Sequence, residues 1–178
     1  VENNALKGIH KVPGLNDESN EYFYQFNERT GACEGKVTGL IEFDGAWYYA
    51  INGVAKSGWW NLTDADGNNG YYYFDPETFQ GLNGENSSFF PNVIYQFENG
   101  KLVKGAWLAT DHGKRYYYGP GFVQGKWYTI EGNLYFFNQD GYRYEGLRYV
   151  KLRDNHDDPL YWYDFGEDGI CHGVYQHT

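Results

Sequence analysis

A glycine that recurs every 20 to 27 residues is the feature that most restricts the fold of this chain. It closes each of seven units, at Gly35, Gly58, Gly81, Gly105, Gly125, Gly146 and Gly173. A run of aromatic residues precedes each of these glycines, as in Trp47-Tyr48-Tyr49 and Tyr135-Phe136-Phe137. Self-similarity at a nearly fixed period is typical of repeat proteins, because a single unit cannot bury its apolar face and must stack on its neighbours.

Each unit has the pattern of a β-hairpin, most clearly from Lys126 to Gly146. Tyr and Phe suit half-buried strands with alternating faces, and glycine supplies the positive φ of tight turns. The sequence therefore predicts an all-β fold, a solenoid of about seven short β-hairpin repeats. We expect a single repeat domain over residues 1–178. Residues 1–21 are polar and lack the pattern, which predicts an irregular N-terminal segment before the first repeat.

The composition supports an aromatic core and excludes some functions. The 19 Tyr, 12 Phe and 6 Trp supply most of the large apolar side chains, and there is no Met. A net charge of −10 disfavours nucleic acid as a partner, because phosphate backbones are bound by clustered Lys and Arg. The sequence also has no apolar stretch near the ~18 residues of a membrane span.

The motifs of catalysis and metal binding do not point to an enzyme. The one suggestive cluster is His156-Asp157-Asp158, in a polar stretch that interrupts the last repeat. We find no nucleophile motif, and short hairpins offer no deep cleft for paired carboxylates. Asp64 to Asn69 superficially resembles a calcium loop, but its glycine comes too early and no Glu follows at the required distance. We therefore predict a polar hairpin loop there, and a chain without metal or cofactor.

Tryptophans at the unit boundaries are the best candidates for ligand binding. Trp47, Trp59, Trp60, Trp107 and Trp127 lie at the start of strands or just after a closing glycine. Most other aromatic residues are expected to be structural, since cross-strand ring pairs stabilise small sheets. Two or three rings that meet at a boundary form a shallow cage. Such a cage suits a quaternary ammonium ion through cation–π attraction, or a sugar ring that stacks on it.

The pattern of glycine, Trp, a short turn, an aromatic run such as Tyr71-Tyr72-Tyr73-Phe74 and a closing glycine resembles the cell-wall-binding repeats of Gram-positive surface proteins. These include choline-binding modules, the glucan-binding repeats of glucosyltransferases and the repeats of clostridial toxins. The resemblance extends over residues 20–176. It implies a secreted or cell-surface, non-catalytic attachment module that binds a carbohydrate or a choline-bearing polymer between neighbouring hairpins.

Carried over residue by residue, the resemblance implies three pockets. The first combines Trp47, Trp59 and Tyr73. The second combines Trp107, Tyr117 and Trp127, and the third Trp127, Tyr135 and Trp162.

Two other functions remain open on the sequence. Tyr and Trp are enriched in protein interfaces, and the irregular loops at 61–70, 82–92 and 153–159 suit an adhesin that binds one host protein. Alternatively, the aromatic residues only hold together a structural spacer. An open solenoid end also leaves strand edges unpaired, which makes a homodimer a further prediction.

Overall fold

The structure is a computed structural model that describes residues 5–151 and 159–176. These residues form β-strands, turns and irregular segments, with no helix among them. The predicted all-β fold is therefore confirmed, whereas the solenoid arrangement stays a prediction. Within the described residues, no helix is long and apolar enough to cross a membrane.

The chain divides into two compact units. The first contains the described residues as far as 86 together with 96–103, and the second contains 87–95 and the described residues from 104 onward. That all of this forms a single repeat domain over residues 1–178 stays a prediction.

Small antiparallel sheets account for the first part of the chain. The first sheet contains β1 (Gly8–Gly14), β2 (Asp17–Phe26) and β3 (Cys33–Lys36), and the second contains β4 (Gly39–Phe43), β5 (Ala46–Ile51) and β6 (Val54–Lys56). A five-stranded sheet follows, in the order β7 (Gly58–Thr63), β8 (Asn69–Phe74), β11 (Lys101–Lys104), β10 (Tyr95–Glu98) and β9 (Gly84–Asn86).

Three further sheets follow in the second unit. They are the hairpin of β12 (Ala106–Thr110) and β13 (Gly113–Tyr117), the hairpin of β14 (Lys126–Ile130) and β15 (Asn133–Phe137), and the terminal sheet of β16 (Leu147–Lys151), β17 (Leu160–Asp164) and β18 (Gly173–Val174). Each predicted aromatic run thus lies wholly or largely in a strand of one of these sheets.

The N-terminal segment differs from the expectation. Residues 1–21 were predicted to be irregular, but residues 8–14 form β1 and pair with β2 in register from Gly8↔Phe26 to Pro13↔Glu21. The prediction is wrong there because β1 is an edge strand. Its burial is only partial, so polar residues such as His10 and Lys11 are tolerated and no aromatic run marks the strand.

Aromatic rings from consecutive hairpins form the cores. In the first unit, Phe23 of β2 lies 5.5 Å from Phe43 and 5.2 Å from Tyr48, measured between ring centroids. Tyr49 of β5 lies 4.9 Å from Trp60 of β7. Such ring pairs stabilise a fold beyond the area they bury.

The closing glycines are required for two different reasons. Five of them, Gly35, Gly58, Gly125, Gly146 and Gly173, have φ between 63° and 126°, where a side chain is strained. The other two are set by close packing. A Cβ at Gly105 would lie 2.4 Å from the carbonyl oxygen of Tyr117, and one at Gly81 would lie 2.8 Å from the backbone of Gly100.

The predicted irregular loops are only partly irregular. Residues 61–63 and 69–70 belong to β7 and β8, and the turn between them has hydrogen bonds from Asp64 N to Asn68 O and from Gly67 N to Asp64 O. This is the polar hairpin loop that the sequence predicts. Within 82–92, residues 84–86 form β9. Most of the 153–159 loop, including the His156 cluster, lies outside the described residues.

Candidate functional site

The first predicted pocket is divided between two places in the structure. Trp59 and Tyr73 are cross-strand partners on β7 and β8, with ring centroids 5.2 Å apart. Phe97 packs on the same group, 5.8 Å from the Trp59 ring. Trp47 lines a separate cavity, together with Tyr72 rather than Tyr73.

Trp107 lies in a cluster made by its own hairpin and the next one. Its ring centroid is 5.1 Å from Tyr116, 5.2 Å from Tyr135 and 5.8 Å from Phe137. Tyr117, which the prediction placed beside Trp107, instead lies 5.6 Å from Phe122. The structure therefore brings Trp107 together with Tyr135, a residue assigned to the third pocket.

Trp127 packs on the terminal sheet. Its ring lies 5.1 Å from Tyr163 and 5.6 Å from Phe165, and its Nε1–H donates to the carbonyl oxygen of Lys151 at 2.7 Å. Trp162 of the third predicted pocket lies 5.4 Å from Tyr149 and is 52% exposed. Trp127 and Trp107 thus form internal packing, whereas Trp162 lies at the surface.

Cations of the chain itself lie against several of these rings. The Arg143 guanidinium carbon is 5.4 Å from the Trp107 ring centroid, and this side chain is only 9% exposed. The Arg115 guanidinium carbon is 4.3 Å from both Phe122 and Tyr142. Cation–π attraction, which would recognise a quaternary ammonium ligand, is therefore already satisfied from within at these positions.

A cavity of about 570 Å³ in the first unit combines rings with polar groups. We call it the Trp47 cavity. Its apolar part comes from Trp47, Tyr72, Leu40 and Val103, and its polar part from Thr63, Asp64, Asp66, Glu98, Asn99 and Lys101. A mostly preformed hollow with an aromatic wall and a few converging polar groups is the usual form of a small-molecule site.

The ion pair between Asp64 and Lys101 fixes the polar side of the Trp47 cavity. Lys101 Nζ lies 2.8 Å from Asp64 Oδ2, and Asp64 Oδ1 accepts hydrogen bonds from the backbone N–H groups of Asp66 and Asn68. The hydrogen bond from Lys101, with those from the backbone, lowers the pKa of Asp64, so this carboxylate is ionised at neutral pH.

Two residues of β8, Gly70 and Tyr72, lie beside this ion pair. A Cβ at Gly70 would lie 3.0 Å from Lys101 Cε, so the glycine leaves room for the lysine stem to cross β8. Tyr72 is 4% exposed, and burial raises the pKa of its hydroxyl. The tyrosine therefore stays neutral at neutral pH.

The Trp47 cavity offers acceptors, a donor and a flat apolar surface within one hollow. The carboxylates of Asp66 and Glu98 can accept from hydroxyl groups, and the ammonium of Lys101 can donate. A polyhydroxylated ring needs both kinds of partner at its edge and an apolar surface against its face. Among the described residues, no group of three or more His, Cys, Asp or Glu side chains converges as metal ligands.

Sequence reasoning missed Asp64 and Lys101 as site residues. They are separated by 37 positions, and they meet only because β8 pairs with β11 through Tyr72 and Lys101. The available signal was the polar Asp64-Ala65-Asp66-Gly67 turn beside an aromatic run, which the sequence assigned to a loop without a ligand.

Within each unit, aromatic rings of neighbouring hairpins meet, as Tyr49 and Trp60 do in the first unit and Trp107 and Tyr135 in the second. No family model matches the chain. Its sequence is similar to Glucosyltransferase-S of Streptococcus mutans, at 27% identity over 157 residues, covering 58% of this chain and 10% of that protein. The chain thus spans about a tenth of the curated relative it matches. The repeat pattern resembles, among others, the repeats of glucosyltransferases, and this similarity to a glucosyltransferase confirms that resemblance.

Solved structures with some likeness to the chain include a choline binding protein and an alternansucrase. One is choline binding protein F from Streptococcus pneumoniae with a peptidoglycan analogue, at 20% identity and a TM-score of 0.38, covering 96% of this chain and 47% of that one. Another is an alternansucrase in complex with isomaltononaose, at 25% identity and a TM-score of 0.34, covering 93% and 12%. At TM-scores below 0.5, neither a fold nor a ligand position follows from these structures.

Proposed function

We propose that this chain is a non-catalytic attachment module of a secreted or cell-surface protein, and that it binds carbohydrate in the Trp47 cavity. The observation that carries the proposal is the pairing of an aromatic wall with a fixed set of donors and acceptors. Trp47 provides the wall, and the Asp64–Lys101 pair fixes the polar edge. Sugar rings match this arrangement, because they have apolar faces and hydroxyl groups around the rim.

The aromatic surfaces of the second unit are poorly suited to choline. Arg143 already lies over Trp107, and Arg115 lies against Phe122 and Tyr142. A choline headgroup would have to displace a hydrogen-bonded guanidinium from each of these positions. A neutral sugar in the Trp47 cavity would instead hydrogen-bond with the charged groups on its polar side.

The relative found by sequence comparison favours a glucan as the ligand. It is a glucosyltransferase, and the chain aligns with a small part of it. A module of this kind would hold a larger protein on its polymer without taking part in chemistry. Binding to a host protein is the alternative prediction, and the following experiment distinguishes it from glycan binding.

Affinity electrophoresis in gels that contain dextran tests the proposal, together with a glycan array. We expect retardation of the native protein by an α-glucan or by another glycan on the array. Trp47→Ala should weaken retention at least tenfold, and Lys101→Met should weaken it severalfold, because each removes one wall of the cavity. Asp64→Asn should weaken retention by disturbing the ion pair.

Matched variants control for general damage. Lys104→Met removes a lysine whose ion pair with Glu131 lies outside the cavity, and Trp162→Ala removes an exposed Trp elsewhere. Both should leave glycan retention unchanged. Retention that survives Trp47→Ala in a folded protein, or a protein that binds no glycan on the array, would overturn the proposal.

A further inference from the structure

The indole of Trp47 lacks the ring partner that the other tryptophans have. Each of those lies with its ring centroid 4.9 to 5.4 Å from that of a tyrosine: Trp59, Trp60, Trp107, Trp127 and Trp162. Within residues 5–151 and 159–176, no ring, lysine or arginine makes such a contact with Trp47, and its N–H donates no hydrogen bond. Its half-buried ring therefore keeps both its apolar face and its donor for a ligand of the Trp47 cavity.

The lining of the Trp47 cavity has an excess of negative charge. It includes the carboxylates of Asp64, Asp66 and Glu98 and the ammonium of Lys101, which gives a formal net charge of −2 at neutral pH. Lys101 lies 2.8 Å from Asp64, whereas the part of the chain that the structure describes places no ion pair on Asp66 or Glu98. Two carboxylates of the cavity are thus left without a cation in direct contact.

Glu98 and Lys101 flank a two-residue hairpin turn, which places both charges on one side of the cavity. β10 ends at Glu98 and β11 begins at Lys101, and Asn99 and Gly100 between them have φ of 51° and 84°. Residues that flank such a turn lie directly opposite each other, with their side chains on the same face of the sheet. A ligand therefore meets an acceptor and a donor side by side at this edge.

We infer that the Trp47 cavity prefers amino sugars, so that the glycan it binds has free primary ammonium groups. This inference rests on the proposed carbohydrate function and narrows the class of ligand within it. The ammonium group donates to the carboxylates of Asp66 and Glu98, and the attached sugar ring stacks on Trp47, which also attracts the cation. Lys101 donates to the remaining hydroxyl groups.

A primary ammonium group suits this cavity better than a neutral or a quaternary group. It has three N–H donors, whereas a quaternary ammonium ion has none and would leave both carboxylates without a hydrogen-bond partner in the ligand. A hydroxyl group can donate to a carboxylate but has no charge to offset the negative lining. Acetylation of the sugar nitrogen removes the charge and two of the three donors, so it removes the basis of the preference.

Isothermal titration calorimetry of the full chain tests the inference with three tetrasaccharides of the same linkage, built from glucosamine, glucose and N-acetylglucosamine. At about pH 6 the glucosamine amine is protonated. In dilute salt we expect the glucosamine tetramer to have a dissociation constant about tenfold lower than that of the glucose tetramer, and lower than that of the acetylated one. Salt of about 0.5 M should reduce this difference, because it screens charges at the surface.

The ratio of the glucosamine and glucose dissociation constants is the readout for variants, because a general loss of binding leaves it unchanged. Glu98→Gln and Asp66→Asn should each reduce the preference about threefold, since each removes one negative charge. Lys101→Met leaves Asp64 without its cation, so the preference should increase. Glu21→Gln is the matched control, because it removes an exposed carboxylate of β2 outside the cavity and should leave the ratio unchanged.

Three results would overturn the inference and leave the carbohydrate function standing. The first is equal binding of the glucosamine and glucose tetramers, and the second is a preference that Glu98→Gln and Asp66→Asn do not reduce. The third is a chain that dextran gels retain but that does not bind the glucosamine tetramer. Displacement of that tetramer by an equal concentration of choline chloride would also overturn it, by assigning the cavity to quaternary ammonium ions. Failure of every glycan to bind would instead remove the proposed function itself.

Discussion

The guanidinium of Arg143 lies over the indole of Trp107, 5.4 Å from its ring centroid, and is almost fully buried there. Two hydrogen bonds from Arg143, Nε–H and Nη2–H, to the Glu145 carboxylate hold it in place. Tyr135, 5.2 Å from Trp107, adds a further aromatic ring to the group. The chain thus places its own cation against rings that could otherwise bind an organic cation.

Removing this cation is expected to create a choline site. Arg143→Ala leaves Trp107, Tyr135 and Phe137 without the guanidinium, and cation–π attraction would then favour a quaternary ammonium ion. Titration with choline chloride, followed by near-ultraviolet circular dichroism, should give a saturable change in the variant and none in the native protein. Arg143→Lys keeps a cation near the rings and should respond like the native protein. A folded Arg143→Ala variant without a response would contradict this account of Trp107.

Trp127 is expected to contribute to the stability of the fold rather than to ligand binding. Its ring packs on Tyr163 and Phe165, so Trp127→Ala should lower the free energy of unfolding by about 3–5 kcal/mol. Trp127→Phe keeps part of the packing and loses the hydrogen bond to Lys151, for a smaller cost of about 1 kcal/mol. Urea unfolding followed by fluorescence measures both. Equal stability of Trp127→Ala and the native protein would show that the ring is available to a ligand.

Much of the fold could be predicted from the sequence, because local chemistry determines it. Closing glycines such as Gly58 and Gly146 have positive φ, and the aromatic runs form strands. The pocket residues were harder to predict, because strand residues alternate between the two faces of a sheet. Trp107 is paired with Tyr116, so the choice of Tyr117 selected a residue on the opposite face.

The repeat pattern does not predict which distant segments are in contact. The contacts of Arg143 with Trp107 and of Lys101 with Asp64 join residues that are 36 and 37 positions apart. They depend on how separate hairpins or strands align. The glycine period locates each hairpin and leaves this alignment open. Only the packed structure therefore reveals that the chain supplies its own cations to several aromatic groups.

Gly105 should not tolerate a methyl group, although its φ is ordinary for any residue. A Cβ there would lie 2.4 Å from the Tyr117 carbonyl oxygen and 2.6 Å from the Tyr116 hydroxyl oxygen, so the backbone must shift. We expect Gly105→Ala to lower the free energy of unfolding by about 1–3 kcal/mol. Gly121→Ala is the matched control, because a Cβ at Gly121 meets nothing within 4 Å. Thermal unfolding that affects both variants equally would contradict the close-packing explanation.

Alkaline pH should destabilise the second unit through two buried tyrosines. Burial raises the pKa of Tyr95 and of Tyr116 to about 12, from 10.0. Between these values the unfolded chain loses phenolic protons that the folded chain keeps, so the free energy of unfolding falls as pH rises from 10 towards 12. Below pH 10 both states hold these protons, and the contribution is fully present.

Tyr95→Phe tests this pH dependence at one of the two hydroxyl groups. The native Tyr95 hydroxyl donates to the carbonyl oxygen of Gly119 at 2.9 Å, so the variant should be about 1 kcal/mol less stable at neutral pH. Its urea midpoint should then fall less steeply than that of the native protein from pH 10 to 12, because one of the two ionisations is gone. Parallel pH profiles for the native protein and Tyr95→Phe would show that Tyr95 ionises equally in the folded and unfolded chain.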